Sequence, residues 1–512
     1  MENIKATLKP FKISFFHILL SLFITISTLS VEPVYAQENI NILSLNDVIY
    51  LAQQQSPDAL IAKHRFRRSY WEYRTFKANY LPQLRADAII PNFNRSIEIV
   101  TLPNGVETFQ AKSFSNASAD ISLNQKVGAL GGEIFLRSGL SRLDNFTDST
   151  TLTSWRANPI NIGYSQPIFK YNPYKWDRKI EPIKYTQSQS VYLENMEQVA
   201  IIATNYFFNL LLAQTEKSIA HKNMHNYDTL YRIAMGRYNL GKIAENELLQ
   251  LELNYLRATA AVENAELALQ NNRFRLKSYL RVKDDVQIEL IPPTDTYHFP
   301  VDAATAIGEA KENSSTSLDF EVQLLEAASQ VNLARRSNRF EAELYAVFGL
   351  TGTNDMFSSV YNEPLDQEQV SLGLHIPIVD WGVAKGNIKM AESSEELVMT
   401  SVEQERIDFE QNIFLTVMQF NMQENQLMIA AKSDTVAQKR YDVTQRRYVI
   451  GKVNDVLELN NAQIDNDNAK KSYFQALQTY WRNFYELRRL TLFDFRQNQK
   501  IEFNLNDIGY ID

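Results

Sequence analysis

The 512-residue chain contains no cysteine. That excludes a disulfide framework, a thiolate metal site, a cysteine nucleophile and a lipid-modified N-terminal cysteine. Glycine and proline are sparse, at 16 and 15 residues, which excludes fibrous and low-complexity chains. With 45% apolar and 22% charged residues the chain is too apolar to be disordered. The net charge is −8 and no basic block occurs, which argues against a nucleic-acid partner. Beyond the N-terminal segment no continuous apolar run reaches the roughly 18 residues of a membrane-spanning helix. The nearest, 199–213, is interrupted by Thr204, Asn205 and Asn209. Any entry of the mature chain into a membrane must therefore use a β-barrel. Length alone predicts about three domains of ~150 residues. What the chain has in plenty is aromatic: 25 Tyr and 28 Phe. So many rings with so little turn chemistry predict long elements with amphipathic aromatic positions.

Residues 1–36 read as a secretory signal peptide. Lys5, Lys9 and Lys12 precede an apolar stretch from Ile13 to Leu29, and Val34-Tyr35-Ala36 supplies small residues at −3 and −1. An uncleaved anchor helix is the alternative. The segment carries a net +1, leaving −9 on the mature chain.

Proline placement divides the remainder. None lies between Pro182 and Pro292 or after Pro377, which marks two long helical territories. Met196, Val199, Ala203, Tyr206, Leu210 and Ala213 step by three and four, as do Phe474, Leu477, Trp481 and Phe484. These are coiled-coil seams, read as helix core. Each territory is broken once by the same phrase, Arg237-Tyr238-x-x-Gly241-Lys242 and Arg447-Tyr448-x-x-Gly451-Lys452, at an offset of 210. Gly163…Pro167-Ile168 and Gly373…Pro377-Ile378 share that offset, which argues for internal duplication. Each half then reads helix, strands, long helix, glycine turn, helix. The halves span 37–290 and 301–495, with a Pro-rich linker at 291–300 and a tail at 496–512. The long helices are predicted at about 186–240 and 386–450. Shorter ones, at about 45–80 and 245–282 in the first half, are long enough in sum to lie end to end along one long helix.

Strands are predicted in about 82–170 and 340–381, where 118–125, 160–165 and 370–376 partly alternate in polarity. Such alternation suits a barrel wall with one lipid face and one wet face, although a soluble sandwich shares the pattern. Trp155, Trp176 and Trp381 fall in or beside these regions, as membrane-interface aromatics would. The strands on offer are too few to close a barrel alone, so several chains must contribute.

In this order, these phrases resemble the TolC-type outer-membrane factors, the exit ducts of tripartite efflux and type I secretion systems. The resemblance covers essentially the whole mature chain. It is carried by the duplicated plan, Leu81-Pro82, Gln166-Pro167-Ile168-Phe169, 376–382 (Ile-Pro-Ile-Val-Asp-Trp-Gly), and the Arg-Tyr-x-x-Gly turns followed by 247–249 and 455–457. It implies an α + β membrane protein of a Gram-negative outer membrane: a homotrimer sharing one transmembrane β-barrel, four or more strands per chain, continued by a helical periplasmic tube. The implied partners are outer-membrane lipid, a periplasmic membrane-fusion adaptor, and an inner-membrane pump of RND or ABC type. Adaptor-contacting tips would fall at 238–245 and 448–455, with Tyr238, Gly241, Lys242, Tyr448, Gly451 and Lys452. Asp455 and Glu458 match the family's acidic pore constriction, six carboxylates in a trimer; Asp455 equally suits an exposed helix N-terminus. The second tip reads as two residues shorter than the first. The first strand region is about twice as long as the second, and its excess is either an extracellular hairpin or added strands. Leu102-Pro103-Asn104-Gly105 and 128–132 read as turns within it.

No catalytic residue, cofactor or metal is expected. His221 and His225 have i,i+4 spacing but lack the glutamate of a zinc-protease helix, and are read as a polar helix face. A periplasmic coiled-coil adaptor or scaffold without a pore is the remaining rival.

Overall fold

The computed structural model describes residues 40–147, 150–283, 287–293, 299–450 and 456–509. The signal peptide at 1–36, Gly451, Lys452 and Asp455 lie outside them. The first half comprises β1 (Ile40–Leu43), α1 (Leu45–Gln55), α2 (Pro57–Ala78), β2 (Gln83–Thr101), β3 (Glu107–Val127), β4 (Gly132–Phe146), β5 (Thr151–Ile168), α3 (Pro173–Asn239), α4 (Glu245–Leu280) and β6 (Gln287–Leu290). The second comprises α5 (Ala303–Asn313), α6 (Ser315–Ser337), β7 (Glu341–Asn354), β8 (Leu365–His375), α7 (Val383–Val449) and α8 (Val456–Thr491), followed by the short pair β9 (Phe493–Asp494) and β10 (Gln499–Lys500).

Helix lengths repeat closely. α1 and α5 have 11 residues each, and α2 and α6 have 22 and 23. α3 and α7 have 67 each, and α4 and α8 have 36 each. At 1.5 Å per residue the long helices run about 100 Å. The break between the short helices is built the same way twice. Ser56 ends α1 and starts α2, its amide bonded to the Ala52 carbonyl and its hydroxyl accepting from the Ala59 amide at 3.2 Å. Ser314 does the same between α5 and α6, capping Ser317 at 3.3 Å. Such caps satisfy backbone groups that the helix ends leave unpaired.

The six long strands form one sheet in the order β2-β3-β4-β5-β7-β8, every neighbour antiparallel. The first half thus contributes four strands and the second two. The plan of four strands per chain is exceeded, and the excess length proves to be strands rather than a loop. The offset between halves is 258 residues before the sheet, at α1 and α5, but 210 after it, at α3 and α7. The difference of 48 residues falls between α2 and β4. The β4–β5 hairpin therefore corresponds to β7–β8, and β2–β3 is an addition to the first half.

The helical core centres on the predicted seams. Val199, Ala203, Phe207, Leu210 and Ala213 of α3 pack in one buried cluster with Phe474, Leu477, Trp481 and Phe484 of α8, Phe420 of α7, and apolar residues of α1 and α5. β1 pairs in parallel with β6, joining the start of the first half to its end. The C-terminal segment packs on α2 and α3 nearer the sheet. Phe503 lies 4.7 Å from the Phe66 ring, and Arg67 donates to the Ile508 carbonyl at 2.7 Å.

A buried ion cluster fixes this region. Arg488 donates to both Glu197 oxygens at 2.9 Å and also bonds Asp494. Both carboxylates are buried, so the guanidinium is what compensates their lost hydration. Arg488→Ala is expected to destabilise the protein by about 3–5 kcal/mol, because it strands two buried charges. Chemical denaturation of the detergent-solubilised protein measures this, and a loss below about 1 kcal/mol contradicts the assignment.

Candidate functional site

Two regions bear on function: the sheet wall and the helical tips at the opposite end of the long helices. The sheet has two chemically distinct faces. Following the pairing across the strands, Leu84, Leu123, Leu136, Ile162 and Phe348 stand side by side on β2, β3, β4, β5 and β7. Their exposures run from 36% to 71%. Ile134, Val370, Leu372 and Leu374 extend the exposed apolar set. The adjacent row, on the opposite face, reads Arg85, Ser122, Arg137, Asn161, Gly349 and Gln367. Here Asn161 donates to Gln367 at 3.0 Å, and the Arg137 guanidinium lies 4.3 Å over the Phe135 ring. An apolar belt that stays exposed, backed by a polar face, is the pattern of a wall between lipid and water. Gly163 is required on the polar face, since a Cβ there would stand 2.1 Å from the Phe135 ring.

The base of the sheet is tied to the helices. Asn172 caps α3 through the Lys175 amide and donates to the Gly128 carbonyl at 3.1 Å. On the other side, the Asp380 carboxylate accepts from the amides of Gly382 and Ala384 at 3.0 and 2.8 Å, which starts α7. Those amides hold the Asp380 carboxyl below the usual carboxylate range. Gln125 donates to the Tyr80 carbonyl at 2.8 Å, anchoring β3 to the end of α2. Trp381 is 95% exposed at this level, and Trp176 is half-buried in the first turn of α3. Trp155 stands near the far end of β5, with Phe357 at 5.1 Å and the Arg142 guanidinium at 5.5 Å.

At the other end, α3 and α4 form one hairpin and α7 and α8 a second. The first turn, 240–244, closes on Gly241 at φ +65°, a conformation that glycine adopts without strain, with the Lys242 amide bonded to the Arg237 carbonyl at 2.9 Å. Five residues separate α3 from α4. The second tip, with its expected shorter turn, lies at 451–455, outside the described residues. Pairing the 36-residue helices makes Glu458 the counterpart of Glu247. Both lie in the first turn of their helix, together with Glu245.

The hairpins share a small core of Tyr227, Leu230, Leu251, Tyr441, Tyr448, Val456 and Leu459. Tyr238, Gly241 and Lys242 are exposed. Tyr448 is not: it is 1% exposed, with the Arg237 guanidinium 5.2 Å above its ring. Its expected place on a contact surface is therefore corrected to packing between hairpins. Arg237 also donates to the carbonyls of Tyr448 and Val449 at 3.1 and 3.2 Å. This clamp went unread in the sequence, where Arg237 was only part of a repeated phrase. His221 and His225 lie exposed on α3.

A polar seam continues up the interface. Asn226 donates to the Tyr441 hydroxyl at 2.9 Å, Tyr227 to Asn460 at 2.9 Å, and Asn223 to Asp467 at 2.6 Å. Burial pushes the Tyr227 hydroxyl up to about 12, helped by the Asp467 charge. Burial also raises the Asp467 carboxyl, against the hydrogen bonds from Asn223 and Gln463. A carboxyl with a raised folded-state pKa holds its proton more tightly folded than unfolded. Its contribution is full below about pH 4 and is lost as the pH climbs through the raised value. Asp467→Asn removes that titration, so its thermal midpoint relative to the wild type should rise from about pH 4 to neutrality. Parallel midpoints would exclude the group.

Residues 306–491 match the sequence model of the family described as "Outer membrane efflux protein". No curated protein matches the sequence. Among solved structures, the fold is similar to the CmeC outer membrane channel of Campylobacter jejuni, 15% identical over 91% of this chain and 89% of that one, with a TM-score of 0.63. It is similar to the open state of the MtrE outer membrane channel of Neisseria gonorrhoeae, 14% identical over 90% of each chain, at 0.60. It is also similar to the outer membrane protein VceC of Vibrio cholerae, 11% identical over 90% of this chain and 97% of that one, at 0.60. Residues 306–491 thus match the outer membrane efflux protein family in sequence, and the chain as a whole shares the fold of solved outer-membrane channels.

Proposed function

We propose that three copies of this chain form the passive exit duct of a tripartite efflux or type I secretion system. The observation that carries the reading is the exposed apolar row across the sheet, which in a soluble scaffold would be a standing aggregation liability. The tube offers matching support. Leu415, Met422, Ile429, Val436 and Val443 recur every seven residues along α7, Ile450 at its C-terminal cap continues the series, and all are exposed. Leu253, Leu267 and Phe274 recur at multiples of seven on α4, also exposed. Helices with uncovered heptad stripes bury them against other helices, here those of neighbouring copies.

The tips suggest how the joint repeats around a ring. Within the chain, Arg237 of the first hairpin clamps Tyr448 of the second. The equivalents, Arg447 and Tyr238, are both exposed and would meet across the boundary between copies. An adaptor seated on Tyr238, Gly241, Lys242, Gly451 and Lys452 would open the end by favouring a packing in which these clamps are released. Energy comes from an inner-membrane pump of RND or ABC type, and the duct contributes the path. Trp155, Trp176 and Trp381 would sit at the two membrane interfaces.

Native mass spectrometry of the detergent-extracted protein should give three chains; a monomer or dimer contradicts the reading. Asp455 and Glu458 would narrow the pore as an acidic ring that attracts cations. Asp455→Ala with Glu458→Ala is expected to raise single-channel conductance and weaken block by multivalent cations. Unchanged conductance and block would remove both from the gate. Arg237→Ala, which frees two carbonyls of the second hairpin, should raise the fraction of time spent open; an unaltered open fraction would make the clamp structural only.

A further inference from the structure

We propose that the membrane barrel is closed by eighteen strands, with edge strand β2 of one copy paired antiparallel to β8 of the next. This rests on the three-copy reading above and goes beyond it, because four strands per chain would give a ring of twelve.

The added hairpin β2–β3 is built as wall. β3 pairs with β4 without interruption from Ser113↔Phe146 to Val127↔Gly132. β2 pairs with β3 from Gln83↔Asn124 to Thr101↔Glu107, with one bulge at 89–92. Its sidedness continues that of the other strands: Leu84 and Leu123 extend the apolar row, Arg85 and Ser122 the polar one. Both ends of the hairpin are held at the helical base, at Tyr80 and Asn172. A loop added at the outer surface would not start and finish there.

The sheet then has two edges, β2 and β8, each paired on one side only. An open edge in lipid leaves a row of amides and carbonyls without water or a partner. The strand count per chain is even, so β2 leaves the helices and β8 returns to them. Copies placed head to tail therefore join β8 to β2 antiparallel, like every other pair in the sheet. The offset fits closure as well. Within the chain, Gln83 lies in register with Gln369 through Asn124, Phe135, Gly163 and Val347. Bringing the helical ends of both edges level places Gln83 opposite His375 of the next copy, a stagger of six residues. Tilted strands in a closed barrel require a stagger of this kind. Diameter grows about linearly with strand number, so eighteen strands give a ring roughly 1.5 times as wide as twelve. The membrane section would then be a wide mouth, leaving restriction of passage to the tips.

The absence of native cysteine makes the joint directly testable. With the stagger above, Asp87 faces Ser371 and Ile89 faces Gln369 of the neighbouring copy, all on the polar face. Asp87→Cys with Ser371→Cys, and Ile89→Cys with Gln369→Cys, should cross-link chains into oligomers in isolated outer membranes under mild oxidation. Arg137→Cys on β4 with Gln369→Cys should not. Cross-linking through β4 without β2 overturns the proposal, since the added hairpin would then lie outside the ring, while leaving a three-chain mass intact. End-on electron microscopy of the wild-type protein is the second readout. A ring of eighteen strands supports the proposal and one of twelve overturns it. A native mass other than three chains removes the underlying reading instead.

Discussion

The backbone of a β-strand must find hydrogen-bond partners, and lipid offers none. That constraint governs the molecule. A sheet with an exposed apolar face belongs in a bilayer, yet this sheet has two edges paired on one side only. A single copy cannot satisfy them, so the sheet makes sense as a segment of a shared wall. The same incompleteness recurs below it, where α4 and α7 carry apolar heptad stripes that their own chain leaves uncovered. Barrel and tube thus ask for the same thing, further copies of the chain, at the same time.

The interior of each copy is by contrast well finished. Two capped breaks at Ser56 and Ser314 let short helices stack along the 67-residue helices. The bidentate pair of Arg488 with Glu197, and the docking of 501–509 on α2, knit the two halves at mid-height. The tips are held by fewer apolar groups and more polar ones: a guanidinium on two carbonyls, tyrosines paired with asparagines, and a buried carboxylate whose protonation is favoured. Such a seam has a lower cost of rearrangement than the aromatic core above it. That division suits a rigid duct with a movable end.

Much of this was legible in the sequence. Proline-free territories and a repeated Arg-Tyr-x-x-Gly phrase gave the long helices, the turn at Gly241 and the duplication, because helix period and glycine turns are strong local signals. The seams at Val199 to Ala213 and Phe474 to Phe484 proved to be core, as their spacing predicted. The strand count was not legible. A two-faced strand alternates only loosely when polar-face positions carry Phe135 and Gly163, and a bulge at 89–92 shifts the phase midway. Nor could sequence tell Tyr238 from Tyr448, which occupy matching places in the same phrase. Their difference is tertiary: Arg237 reaches across to cover one, whereas the other faces outward.

The central claim is that the sheet is a lipid-embedded wall shared between copies. Outer-membrane fractionation followed by extraction, with migration of the unheated and heated protein compared on a denaturing gel, tests it most directly. The expected result is a protein released only by detergent, running as an oligomer until heated. A chain recovered in the aqueous fraction as a soluble monomer would contradict the account.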